Sequence, residues 1–339
     1  MTNNNLKVLN PLVSVIIVNL NGKSHLDKCL KSLAAIDYPN IETILVDNNS
    51  SDLSLEFVKD NYPNIRILKL DKNYGFAKPN NMATKIAKGE YFLFLNNDTE
   101  VTPNFINELL AVSEADHRIA ILQSLLLKPN NEVDSSGDFI DKLGVVYNSK
   151  KIPDKVRTIS SARGASMLVR CSAFKKLDGF DEKFFVSFED VDLSWRAWIL
   201  GYKVVLVPQS IVYHIGGQTI KTIKSDVVFH GLKNQISMKI TNFEFPRSWY
   251  VLFGFFLQYG LREIKIWFDY KIHGSTKIRS TKYENTMAQN LGIGVILKSL
   301  FWIMKNQKYL LTKYKKVNSG RMLKTSELGK LNVISNQFQ

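Results

Sequence analysis

Acidic and amide side chains recur in this chain where apolar runs stop. Run 13–18 is followed by Asn19 and Asn21, run 42–46 by Asp47 and Asn48, and run 91–95 by Asn96, Asn97 and Asp98. Glu189, Asp190 and Asp192 follow the aromatic stretch 184–188, and His214 follows the apolar pair Val212-Tyr213. By type, carboxylates accept protons and ligate hard cations, and amides hydrogen-bond polar ligands. Asn and Asp also serve as turn residues and helix caps, and for Asn48, Asn49 and Ser50 the two readings stand level. Capping accounts poorly for Asp47 and Asp98, which directly or closely follow wholly apolar strands.

The elements that must position these residues are legible as a repeat. The β-branched run 13–18 reads as a buried parallel strand. A helix over 25–33 follows, with Leu26, Leu30 and Leu33 at helical spacing. Then come a strand over 42–46, a helix over 53–61, a strand over 65–70, a helix over 80–88 and a strand over 91–95. This β-α alternation predicts a doubly wound sheet covered by helices on both faces. Ligands of such sheets lie at the carboxyl ends of the strands, where the polar residues stand. Residues 101–160 read as short strands and a variable loop. Beyond them come a strand over 163–170, a helix from Glu189 to about Leu200 stopped by Gly201, and a strand over 203–207.

Of the 339 residues 45% are apolar and 22% charged, which excludes a fibrous or wholly disordered chain. The net charge of +14 is unevenly placed: residues 1–220 hold 25 basic and 25 acidic side chains, and residues 221–339 hold 20 and 6. A neutral domain followed by a basic region points to a polyanionic surface. Two stretches there, 249–261 and 291–304, are largely apolar but shorter than the roughly 20 residues that span a bilayer. Flanked by Arg247, Arg262, Lys265, Lys305 and Lys308, they fit helices lying in a membrane interface, with Trp249, Phe253, Phe255 and Trp302 entering the lipid. Packing within a helical domain is the alternative. The final residues, 326–339, read as disordered. Cys29 and Cys171, far apart, read as buried thiols of a reducing compartment. With no secretory segment legible, the expected place is the cytoplasmic face of the membrane.

Six segments in order resemble glycosyltransferase family 2, the inverting enzymes of GT-A fold, over about residues 11–243. They are 13–22; Asp47-Asn48-Asn49-Ser50-Ser51-Asp52; Asn73-Tyr74-Gly75-Phe76-Ala77 with Asn80; Leu95-Asn96-Asn97-Asp98; 185–196 with Glu189-Asp190-Val191-Asp192; and His214-Ile215-Gly216-Gly217. The likeness is greatest to a rhamnosyltransferase-like bacterial branch that builds surface polysaccharides. It implies a Rossmann-like, doubly wound nucleotide-sugar domain over 1–243, followed by a mainly helical, membrane-associating region over 244–325. It further implies sugar transfer, with inversion, from a UDP- or dTDP-sugar to a hydroxyl of a lipid-linked or glycan acceptor.

The resemblance also implies roles. Asn19, Asn21, Asp47, Asn73, Gly75, Asn80, Asn96, Asn97 and Gly164 would line the nucleotide sugar, with Asp47 accepting the N3–H of uracil or thymine. Asp98 and His214 would hold Mn²⁺ or Mg²⁺, His214 otherwise being a core histidine. Asp190 would be the base that inversion requires opposite the leaving group, otherwise a helix cap, with Glu189 and Asp192 on the acceptor side. In this sequence two amides, Asn96 and Asn97, replace acids of the family's aspartate triplet, and Pro79 interrupts its usual run of small residues.

Two other classes compete. A sugar nucleotidyltransferase would carry a glycine-rich basic loop after the first strand, where Asn19-Leu20-Asn21-Gly22-Lys23 stands. A nucleic-acid-binding tail would form a polar basic stripe, whereas these charges alternate with apolar runs, so no nucleic-acid partner is expected. A homodimer stays open.

Overall fold

The computed structural model describes residues 10–216, 224–273 and 293–335. The first half alternates as expected: β1 Val13–Asn19, α1 Lys23–Ala34, β2 Ile41–Asp47, α2 Ser54–Asn61, β3 Arg66–Lys69, α3 Ala77–Thr84 and β4 Tyr91–Asn96. α3 lies three residues earlier than the apolar spacing predicts. Pro79 is its third residue, where no N–H donation is needed, so the helix starts before the proline.

The next elements are β5 Thr99–Val101, α4 Phe105–Ala115, β6 Ile119–Leu127, β7 Val133–Ser135, β8 Asp138–Asp141, β9 Val146–Asn148, β10 Arg157–Thr158, β11 Ser166–Arg170, α5 Cys171–Lys176, α6 Glu189–Ile199 and β12 Lys203–His214. The expectation of short strands over 101–160 holds from β7 to β10 but misses α4 and the long strand β6. α4 buries Phe105, Ile106, Leu109 and Leu110 at helical spacing, and all nine residues of β6 are buried.

Strand order in the main sheet is β10-β12-β6-β11-β4-β1-β2-β3. β1 runs parallel to β2 and β4, while β11 runs antiparallel to both β4 and β6. The sheet is therefore mixed instead of wholly parallel. Alternation along β1 sends Val13, Val15 and Ile17 into the core on one face and Ile16 into the core on the other. The continuous β-branched run is what a strand covered on both faces requires.

The C-terminal elements are α7 Lys224–Asn242, α8 Arg247–His273, α9 Ile293–Lys305, α10 Gln307–Ser319, α11 Thr325–Lys330 and β13 Ile334–Ser335. The helical region thus begins before residue 244. The expected disordered tail is corrected too. Leu328, Val333 and Ile334 are buried in the same core as Trp195 and Phe180, and β13 pairs in parallel with β8. β13 completes a small sheet, β13-β8-β9, that the polar composition around it hides. Residues 336–339 lie outside the described residues, as do Gly217, Leu291 and Gly292.

Of the aromatics expected to face lipid, Trp249 and Phe253 are 69% and 70% exposed, whereas Phe255 is buried against α7 and Trp302 is half-buried. Among the described residues no helix is long and apolar enough to cross a membrane. Cys29 is buried, which pushes its thiol up to about 12, and Cys171 is half-buried.

Candidate active site

Strand pairing brings the polar exits abreast. Asn19 stands opposite Asp47, and Val18 opposite Asn96, at the carboxyl edge of β1, β2 and β4. Asn19 is wholly buried and fastens the edge together. Its amide donates to Ser50 Oγ at 3.1 Å and Ser54 Oγ at 2.8 Å, and its oxygen accepts from Asn97 Nδ2 at 2.7 Å. Asn21, at φ 51°, accepts from the Ser51 amide at 2.8 Å. Gly22 follows because a Cβ there would stand 2.1 Å from Asn97 Nδ2. Asn19 and Asn97 thus shape the cleft, their mutual hydrogen bond already made.

Asp47 is different. Its Oδ1 accepts from the Ser50 amide at 3.3 Å, while its Oδ2 is buried with no hydrogen-bond partner among the described residues. A buried carboxylate oxygen without a donor is costly, and a ligand N–H would satisfy it. Next to it Asn48 organises the facing loop, donating to Asn73 Oδ1 and the Gly75 carbonyl, both at 2.9 Å, and accepting from the Tyr74 amide. Gly75 has φ +77°, and a Cβ on it would lie 2.0 Å from the Phe185 carbonyl. Asn80 is buried and its amide is spent on the Phe76 carbonyl at 2.8 Å, inside the first turn of α3.

At the end of β4, Asp98 Oδ1 and His214 Nε2 are 3.4 Å apart, with Asn96 Nδ2 also 3.4 Å from His214 Nε2. His214 Nδ1 meets Asp134 Oδ2 at 2.9 Å. Burial opposes a charge on His214, but Asp134 and Asp98 outweigh it and hold the imidazole up at about 9. Burial likewise opposes ionisation of Asp98, and His214 overcomes it, so this carboxyl lies below its usual range. The pair fits a hard divalent cation. One carboxylate and one imidazole lie at the separation of neighbouring ligands, and the far ring nitrogen is anchored by an acid, as ligating histidines are. Among the described residues no group of three or more acidic, histidine or cysteine side chains gathers around one point. A cation here would take its remaining ligands from phosphate oxygens and water.

The acceptor-side acids separate sharply. Asp190, at the start of α6, accepts from the Gly164 amide at 3.0 Å and the Val191 amide at 2.8 Å. Burial pushes its carboxyl above the usual range despite these bonds. Glu189 is 6% exposed and pushed well up by burial and by Asp190, and its Oε2 has no partner among the described residues. Asp192 is a correction. It is wholly buried and faces Arg196 Nε at 2.8 Å, Lys313 Nζ at 2.8 Å and Asn242 Nδ2 at 2.9 Å. Burial opposes its ionisation, but Arg196 and Lys313 hold it down at about 2. It joins α6 to α7 and α10 and takes no place on the acceptor side. A Cβ on Gly164 would lie 2.9 Å from the Phe76 ring, so a glycine lets the backbone pass close to that ring.

Several residues escape the sequence reading. Arg163 Nε lies 3.2 Å from both oxygens of Asp138, whose carboxyl burial holds up at about 6 against that guanidinium. Ser187 and Phe188, just before Asp190, adopt φ 71° and 68°. Asn234 of α7 braces that turn, donating to the Val186 carbonyl at 3.1 Å and the Ser187 carbonyl at 2.7 Å. The His230 ring stacks on Phe185 at 5.1 Å.

The chain is similar to known proteins in sequence and in fold. Residues 14–178 match the family described as Glycosyl transferase family 2. The O-antigen biosynthesis protein RfbC of Myxococcus xanthus is 30% identical over 220 residues, which is 60% of this chain and 17% of that protein. The N-acetylglucosaminyl-diphospho-decaprenol L-rhamnosyltransferase of Mycobacterium tuberculosis is 27% identical over 232 residues, 60% of this chain and 76% of that one. The crystal structure of GalNAc-T7 with UDP, GalNAc and Mn²⁺ shares the fold at a TM-score of 0.55 and 18% identity, over 67% of this chain and 47% of that one.

Proposed function

Residues 14–178 make this chain a carrier of a family 2 glycosyltransferase domain, and on that premise we propose that it transfers a sugar, with inversion, from a UDP- or dTDP-sugar to a hydroxyl of a lipid-linked or polysaccharide acceptor in cell-surface glycan synthesis. The observation that carries the donor class is the buried, unpartnered Oδ2 of Asp47 at the cleft edge. It would accept the N3–H of uracil or thymine and reject cytosine, which offers an acceptor there. The mycobacterial relative's name couples rhamnosyl transfer to a polyprenyl-linked acceptor, which supports the acceptor class.

Asn48, through Asn73 and Gly75, fixes the loop that closes the nucleotide side. Asp98 and His214 would hold the divalent cation, Mn²⁺ suiting the nitrogen ligand, and it would supply Lewis-acid compensation for charge on the departing diphosphate. Asp134 fixes the imidazole so that Nε2 faces Asp98. Asp190 takes the proton from the attacking hydroxyl. Its two backbone hydrogen bonds aim it, and burial keeps its proton affinity high enough for the task. Glu189 beside it orients the acceptor.

Calorimetry with UDP, dTDP and CDP, with and without Mn²⁺, tests the reading. The expected result is Mn²⁺-dependent binding of UDP or dTDP, with CDP weaker by at least about tenfold because Asp47 would face an acceptor. Equal affinity for CDP and UDP, or no nucleotide binding at all, overturns it.

A further inference from the structure

α8 and α9 are apolar on two sides, and the fold uses only one. Leu252, Phe255 and Phe256 of α8 and Val295, Ile296 and Ile303 of α9 pack on Val228, Leu232 and Ile236 of α7. The other side of α8 carries Trp249, Phe253, Leu257 and Leu261 at four-residue spacing, each 51–70% exposed. Such spacing lays them in one inclined stripe about 18 Å long. α9 repeats the arrangement with Leu297, Phe301 and Met304, each 59–63% exposed. A helix apolar all round belongs inside a protein or against lipid, and soluble surfaces rarely leave such stripes bare.

We propose that these two stripes are a docking surface for an anionic lipid bilayer, entered side-on by α8 and α9. Charge selects this occupant. Lys298, Lys305 and Lys308 are exposed on or beside the second stripe, Arg247 opens the first, and residues 221–339 carry the whole +14. A second copy of the chain would bring a like-charged face against this one, whereas anionic headgroups receive the lysines while the acyl boundary receives the aromatics. Neither helix is long and apolar enough to cross, so they lie in the interface. The surface is joined to the chemistry by one element. α7, on which both helices pack, also holds the turn before Asp190 through Asn234. Docking would therefore set the acceptor-side loop near the plane from which a lipid-linked acceptor projects. The inference extends the proposed transfer to its partner surface.

The test uses the full chain with vesicles of equimolar phosphatidylcholine and phosphatidylglycerol, and with phosphatidylcholine alone. Wild type is expected to sediment with the anionic vesicles at low salt and to be released by high salt. Each lysine near the leaflet strengthens binding about fivefold, so Lys298→Gln/Lys305→Gln/Lys308→Gln should weaken it about a hundredfold. Trp249→Ser/Phe253→Ser should abolish what remains at high vesicle concentration. All these side chains except Lys298, which faces the Phe229 ring at 4.5 Å, are exposed without a described aromatic or ionic partner, so melting temperatures should stay within a few degrees. Failure of wild type to bind, or equal binding by the variants, overturns the inference. So does a dimer in light scattering that Trp249→Ser/Phe253→Ser dissolves, which would make the stripe a contact between copies. Mn²⁺-dependent UDP binding, measured on each variant, separates the two readings: its loss in wild type with vesicle binding intact refutes the transferase and leaves the surface standing.

Discussion

Asp190 and Asp192 show how far two positions on one helix turn can diverge. Asp190 accepts only from backbone donors and is pushed up by burial, while Asp192 faces two cations in the core. Asp190→Asn is therefore expected to keep nucleotide affinity and fold but to lower transfer by about 10²–10⁴-fold, the range of a lost general base. Asp192→Asn is expected to spare any proton transfer and instead lower stability, because Lys313 and Arg196 lose their buried counter-charge. An acceptor-dependent rate assay beside a urea melt distinguishes them, and a fully active Asp190→Asn sinks the base assignment. Asp98→Ala should remove Mn²⁺-dependent strengthening of UDP binding in calorimetry, and His214→Ala should weaken it and shift preference toward Mg²⁺; unchanged metal dependence in both displaces the site. Asp47, Asp98, Asp190 and His214 stand out in the sequence because each ends or follows an apolar run, and their proposed roles come from the family resemblance. Asp134 was not: it stands 80 residues from His214, in a stretch with no periodic signal, and only the pairing of β7 with β6 brings it there.

At the scale of elements, α7 does the unforeseen work. The sequence reading places no helix over 224–242, and nothing in spacing says that Asn234 meets carbonyls nearly fifty positions earlier. Ser187 and Phe188 hold left-handed backbone at a cost of about 1–3 kcal/mol each, and such strain persists only where surroundings impose it. Asn234→Ala is expected to lower kcat about 10–100-fold while leaving donor KM and UDP affinity near wild type, since it misplaces Asp190 without touching the nucleotide side. An equal fall in donor affinity would mean a general structural role instead. The same helix carries Lys239, wholly buried, its ammonium on the Gly144 carbonyl and 4.5 Å from the Phe255 ring. Burial lowers it to about 7, from an ordinary value of about 10.4. Between these values the unfolded chain holds a proton that the folded chain lacks, so this group's contribution to stability rises with pH. From pH 7 to 9 it should add about 2 kcal/mol, so wild-type stability minus Lys239→Met stability should rise by that amount across the range. A pH-independent difference refutes the buried ammonium.

For the whole molecule, the charge asymmetry suggests a neutral catalytic half with a detachable basic tail, and the packing denies the second part of that picture. α10 brings Lys313 to Asp192 and Asp181, beneath the helix that carries Asp190. Arg321 donates to the Asn242 carbonyl at 2.6 Å, and Thr325 caps onto Glu244. The chain then returns as α11 and β13 to the central core, where Leu328 is wholly buried. The order of β1 to β4 could be read because local alternation dictates it. The return of the terminus could not, because a two-residue strand beside β8 has no periodicity to detect. Leu328→Ala measures whether this return is part of the fold. A terminus fraying in solvent would lose nothing, whereas a leucine packed in the core should cost about 2–5 kcal/mol through lost burial and the cavity left behind. The loss should appear as a lower urea midpoint at unchanged slope, with the UDP-binding signal disappearing in the same transition as the helical signal. Two separated transitions, the helical region melting first and nucleotide binding surviving, would restore the picture of an independent tail.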